Sequence, residues 1–330
     1  MFCTWNCNVI LYGIHQGVGQ IKIVHEAKPL DEVLADPAFP DSSKAKLRLI
    51  QEIKKFAVDS LGIFESKNYT SLYDQHGEPI MYVITACDPF AFKPYEWHFS
   101  FLGKFTYKGH FKKERAEDDL NELKAEGYDT ELGTAKAYST LGWFKDPILS
   151  GMLTSPPGSL ARLIIHELTH GTLYIKDSVT YNENLATFVG DQGAILFLKH
   201  KYGVESKEMK DYLGNIADIE RFSAHILSGM KEMEQLYASV DFQHLAIADK
   251  RKEKRERIQK IMAAADTLPF YNKKKFAEIF STKFEINNNF FLTYVMYRNE
   301  QNLFEAEFRN KFHSNFKAYL KYLKSKYATL

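Results

Sequence analysis

"LARLIIHELTHGTLYIKDSVTYNENLATFVG", Leu160 to Gly190, decides how the rest of the chain is read. Leu160, Leu163, Ile164 and Ile165 make an apolar helical run that leads directly into His166, Glu167 and His170. Imidazoles and carboxylates are costly to bury alone, so such a helix requires either polar partners or a metal ion. His166 and His170 stand at i and i+4, one above the other on a helical face, and can present two imidazoles to one point. Glu167 lies about 100° round the helix, within reach of a water beside a metal without itself being a ligand. Pro156 and Pro157 precede the run, and the pattern predicts a helix cap at Ser159.

A catalytic zinc site takes three protein ligands and keeps one position open. If the first helix runs on to Tyr174 and the chain turns through "IKDS", a second helix starting near Tyr181 returns antiparallel and brings Glu183 to face the histidines. Twelve residues lie between His170 and Glu183, enough for that turn and return. The competing role for Glu183 is a T-x-x-E capping box with Thr180, which would tie its carboxylate to the helix start. The expected donor set is His166, His170 and Glu183 around a single Zn2+, with Glu167 as the catalytic residue. Asp177 or Asp191 could orient the ligating imidazoles from behind.

Outward from this helix pair, "KAKLRLIQEIKKFAVDSLG" carries an apolar stripe at Leu47, Leu49, Ile50, Ile53, Phe56, Ala57 and Leu61, and Gly62 supplies its stop. The region from Asn8 to Ser60 reads as helical. Between Tyr69 and Tyr107 the pattern changes to short β-branched and aromatic runs, "IMYVITA", "EWHFSFLG" and "KFTYKG", which predict a small, mainly antiparallel sheet. "FKKERAEDDLNELKAEG" predicts a helix ended by Gly127, and "YDTELGTAKAYSTLG" an extended segment. Beyond Lys199 nearly everything is helix-forming. The fold class is α+β, with an active-site helix pair and a largely helical C-terminal half. The expected division is a helical segment at 1–65, a catalytic core at 66–200 carrying both motif helices, and a helical part at 201–330 able to pack with that core.

With 330 residues, 45% of them hydrophobic, the chain can bury a substantial core. Its 43 Lys+Arg balance 42 Asp+Glu, a net charge of +1 that gives no reason to expect nucleic acid or an anionic membrane as partner. In the run "DKRKEKRERIQK", Asp249 to Lys260, acidic and basic residues alternate, which predicts a solvated helix laced by i,i+3 and i,i+4 pairs. Cys3, Cys7 and Cys87 form neither a disulfide framework nor a C-x-x-C pair. No apolar run approaches the roughly 18 to 20 residues of a transmembrane helix.

The motif stretch, together with "YSTLGWFKDPILS" (Tyr138 to Ser150), resembles the family of bacterial predicted aminopeptidases, HExxH zinc metallopeptidases of gluzincin type with an NExxA second helix. The likeness runs from "LDEVLADPAF" and "RLIQEIKKFAVDSLG" through "YKGHF" and "EGYDT" to "NNNFFLTYVMY". It implies a zincin-like fold, zinc-dependent hydrolysis of a peptide substrate, His166, His170 and Glu183 as ligands, and Glu167 as general base. It also implies the cell envelope, as a lipoprotein with Cys3 near the mature start or as a periplasmic protein. The cytoplasm is the alternative, since no signal is visible in this chain. Oligomeric state is not legible.

The oxyanion formed in peptide hydrolysis needs a donor besides the metal, and Tyr138, Tyr294 and Tyr297 are candidates by their motif neighbourhoods. "YSTLG", that is Tyr138, Ser139, Thr140, Leu141 and Gly142, is the candidate edge strand for pairing with substrate backbone, against the alternative of a plain core strand. No G-x-M-E-N loop is present to hold a free amine, so exopeptidase action rests on the resemblance and endopeptidase action stays open. Two non-enzymatic readings compete: a silent zinc-binding scaffold with a regulatory role, and a helical protein with an accidental HExxH. Glu167 favours the enzyme, because a structural zinc does not require it.

Overall fold

The computed structural model describes residues 19, 21–99, 103–134, 145–176, 178–276, 286–298 and 301–327. The helical N-terminal stretch is broken. After α1 (21–26) come a short strand, β1 (Lys28–Pro29), then α2 (Leu30–Ala35), before Pro37 and Pro40 interrupt the chain. The predicted apolar stripe is α3 (Asp41–Phe56), which buries Leu47, Leu49, Ile50 and Ile53. One wider turn, Ala57–Leu61, extends it to Gly62, whose φ of 79° is a conformation glycine adopts without steric cost.

The chain divides into two compact units, each discontinuous in sequence. The first comprises Met1–Ile80, Ala135–Lys210 and Tyr297–Leu330, the second Met81–Thr134 and Asp211–Met296. No cut into consecutive segments reproduces them.

In the first unit, β1 pairs antiparallel with β2 (Ser71–Tyr73), and β2 pairs parallel with β8 (Ile148–Leu149), placing Leu72 opposite Ile148. The helices are α3, α5 (Pro157–His170), α6 (Val179–Tyr202), α11 (Gln301–Phe312) and α12 (Phe316–Tyr327). Phe188 of α6 anchors the last two, its ring meeting Phe304, Phe308, Phe316 and Tyr319 at centroid distances of 5.5 to 6.3 Å.

In the second unit, β3 (Tyr82–Cys87) lies between β6 (Tyr107–His110) and β7 (Asp129–Thr134), antiparallel to both. A separate hairpin joins β4 (Trp97–Phe99) to β5 (Gly103–Phe105). α4 (Lys113–Ala125) covers the three-stranded sheet with Ala116, Leu120 and Leu123 against Ile84 and Ala86. The remaining helices, α7 (Lys207–Ala238, mostly in this unit), α8 (Val240–His244), α9 (Ile247–Ala265) and α10 (Asn288–Arg298), gather an aromatic core around Phe222, Tyr237, Phe242 and Phe291. The extended region expected as one small sheet is therefore two three-stranded sheets and a hairpin, because β2 pairs with strands remote in sequence rather than with β3.

The charge run is not uniformly solvated. Lys254 shares a face of α9 with Ile258, Ile261 and Ala265 and is buried. Its Nζ donates to Pro89 O at 2.9 Å and pairs with Asp129, whose carboxylate also accepts from the Asn288 amide at 2.9 Å. Asn289 Nδ2 donates to Asp129 O, and Tyr237 donates to Asn288 Oδ1. Among the described residues no helix is long and apolar enough to cross a membrane.

Candidate metal centre

α5 begins at Pro157, two residues before the predicted cap, with Pro156 as the flanking residue and no side-chain capping bond. Proline suits a first helical turn because the amide it lacks would have had no partner there. The helix buries Leu160, Ala161, Ile164, Ile165 and Leu168, and carries His166 and His170 inward with them. It stops at His170 rather than running on to Tyr174. The amides of Thr172 and Leu173 both donate to Thr169 O, and Thr172 Oγ1 donates to Leu168 O, each at 2.9 Å. α6 starts at Val179 with Ser178 flanking it, ahead of the register a Thr180 capping box requires, and makes no side-chain capping bond.

The Glu183 carboxylate is turned to the histidines instead. Oε2 lies 3.4 Å from His166 Nε2, Oε1 lies 3.5 Å from His170 Nε2, and the two Nε2 atoms are 3.2 Å apart. The ligand atoms of the three residues all fall within 4.8 Å of one another, an arrangement able to hold a metal ion. Both Nδ1 atoms are buried and have no hydrogen-bond partner among the described residues. Acceptors that orient ligating imidazoles through Nδ1 are thus not found there.

Charge in this pocket follows burial. Desolvation holds His170 down to about 4, with His166 adding to the fall and Glu183 opposing it. Burial raises the Glu183 carboxyl, but its hydrogen bond to His166 and the two imidazoles outweigh that and leave it below the usual range. Glu167, beside them, is pushed up to about 7 by burial, an effect that His166 opposes and that Glu183 and Asp146 reinforce. At neutral pH the His170 imidazole is therefore neutral and Glu183 is ionised, the forms that bind cations.

The profile of the family described as "Putative aminopeptidase" matches residues 11–328. The chain belongs to that family. No curated protein and no solved structure matches it. Membership implies a peptidase, and so a hydrolase.

Of the other candidates from the sequence of this family member, Tyr138, Ser139, Thr140, Leu141, Gly142 and Asp177 lie outside the described residues, as does the side chain of Tyr297. Tyr294 belongs to the second unit, its ring packed against Phe222 and Phe290. Asp191 accepts from Arg162 Nε at 2.6 Å, tying α6 to α5 one turn from His166.

Sequence reasoning missed two features. The first is a clasp near Glu167: Asn68 and Asp146 exchange hydrogen bonds of 3.1 and 3.2 Å, and the Tyr69 amide donates to Asp146 O at 2.7 Å. Tyr69 is held there at a φ of 61° with its ring buried, and burial, with the charges of Glu167 and Asp146, drives its hydroxyl pKa well upward. Its signal is weak, since nothing local marks a tyrosine for the left-handed region.

The second is Gly190 on α6. A Cβ there would lie 3.0 Å from Arg162 O and 3.2 Å from His166 Cβ, so glycine lets α5 and α6 approach closely beside His166. Gly190→Ala would gain about 1 kcal/mol of helix propensity but incur about 1–3 kcal/mol of overpacking against groups that cannot swing away. The expected result is a lower thermal midpoint and weaker metal uptake. A midpoint at or above wild type would show that the helices can part without cost.

Proposed function

We propose that this chain is a zinc-dependent peptidase of zincin-like architecture, acting as an aminopeptidase, with His166, His170 and Glu183 as metal ligands and Glu167 as general base. The observation that carries the proposal is the convergence of two buried imidazoles, through their Nε2 atoms, with one half-buried carboxylate, and with a fourth titratable group, Glu167, alongside.

The donor set fits the ion chemically. Two imidazoles and a carboxylate, with no thiol, suit Zn2+ and leave a coordination position open. Two imidazole nitrogens facing each other at 3.2 Å share at most one hydrogen bond, whereas a cation satisfies both nitrogens and the carboxylate together. Zinc held there supplies Lewis acidity that eases deprotonation of water and polarises a peptide carbonyl. Glu167 takes the proton as the water oxygen bonds to the carbonyl carbon. It then returns that proton to the amide nitrogen as the carbon–nitrogen bond breaks.

The test is metal content by plasma mass spectrometry on protein purified without a metal-affinity tag. Wild type should carry about one zinc per chain, as a three-ligand catalytic site requires, and His166→Ala and Glu183→Ala should carry little. Zinc-free wild type after incubation with the ion would overturn the metal reading. Hydrolysis of aminoacyl amides but not of N-acetylated peptides distinguishes an aminopeptidase from an endopeptidase, and zinc without cleavage of either would point to a silent scaffold.

A further inference from the structure

We infer that Asn182 is a positioning residue that holds Glu183 at the metal-binding imidazoles by locking the connection between α5 and α6. The inference rests on the metal-centre reading above. Asn182 is 2% exposed. Its Oδ1 accepts from the Ile175 amide at 2.9 Å, and its Nδ2 donates to the Ile175 carbonyl at 2.7 Å. One planar amide thus takes both backbone groups of a residue five positions beyond His170.

The other end of the connection is fixed as well. Thr172 Oγ1 donates to Leu168 O and accepts from the Phe64 amide at 3.1 Å. Bonds at Thr172 and Ile175 thus tie the residues after α5 to Leu168, to Phe64 and to the first turn of α6. Glu183 is the next residue along, so the latch sets where its carboxylate stands. Only an amide side chain of this length offers a donor and an acceptor in one plane; aspartate offers acceptors alone, and alanine neither. Burial sharpens the effect, because water does not replace the lost bonds cheaply.

The experiment measures zinc affinity by competition with a chromophoric chelator, together with the visible spectrum of the cobalt(II)-substituted protein, for wild type, Asn182→Ala and Asn182→Asp. Leu198→Ala, a fully buried change on the same helix far from the ligands, controls for lost stability. Asn182→Ala should weaken zinc binding about 10- to 100-fold, the usual scale for groups that orient ligands. It should also alter the cobalt spectrum, while Leu198→Ala alters only the thermal midpoint. If Asn182→Ala does not fold by circular dichroism, Asn182→Asp, which keeps the acceptor for Ile175, carries the comparison. Wild-type affinity and spectrum in a folded Asn182 variant would overturn this inference alone. A wild type that binds neither metal overturns the metal reading and this inference with it.

Discussion

Glu167→Gln should keep its zinc and lose peptide hydrolysis by about 10²- to 10⁴-fold, the range that general acid–base groups supply. Glutamine preserves the shape of the side chain, so α5 keeps its packing and the ligands keep their approach. It removes a carboxyl that burial and the neighbouring Glu183 and Asp146 already disfavour as an anion, so the change places no new charge in the pocket. What disappears is the ability to accept a proton and hand it on. Parallel measurement of kcat/KM and zinc stoichiometry separates the roles. Activity within tenfold of wild type would remove Glu167 from the chemistry, and loss of zinc would make it part of the donor set instead.

Lys254→Met should destabilise the protein by about 3–5 kcal/mol, the scale seen when one partner of a buried ion pair is removed. Lys254 and Asp129 have side-chain exposures of 9% and 15%, so their pairing is shielded from water and salt. With the ammonium gone, Asp129 keeps the Asn288 amide but carries an uncompensated charge, and Pro89 O loses its donor. Adding Asp129→Asn to Lys254→Met should recover part of the loss, because the stranded charge is then gone. Urea denaturation of the two single variants and the double variant checks this. A loss below about 1 kcal/mol would assign the pair to the class of weak surface bridges.

The convergence of His166, His170 and Glu183 was legible because its parts are local. An i,i+4 pair and a carboxylate one short hairpin away are properties of a single stretch, and "HELTH" with "NENLA" supplies both. The capping box was a genuine competitor for Glu183, decided only by where α6 begins. Features that depend on distant segments were hidden. Gly190 matters because of the backbone at Arg162, and the Asn68–Asp146 clasp joins positions 78 residues apart. Lys254 is instructive in a different way. It falls four residues before Ile258 on the same helical stripe, so its inward position was written in the periodicity, but the alternation of charges around it spoke for solvent. The antiparallel character of the small sheets was legible but their number was not, because a three-residue strand such as β2 shows that it pairs, not with what.

The discontinuous build of the first unit has a consequence for how the protein is made. The helix that carries Glu183 is backed by Phe304, Phe308, Phe316 and Tyr319, which leave the ribosome long after His166, His170 and Glu183. The second unit, by contrast, has its last strand and helix in hand once Met296 has emerged. A nascent chain can therefore complete the second unit first, whereas the helix that carries Glu183 gains its aromatic backing only after Tyr319 has been made.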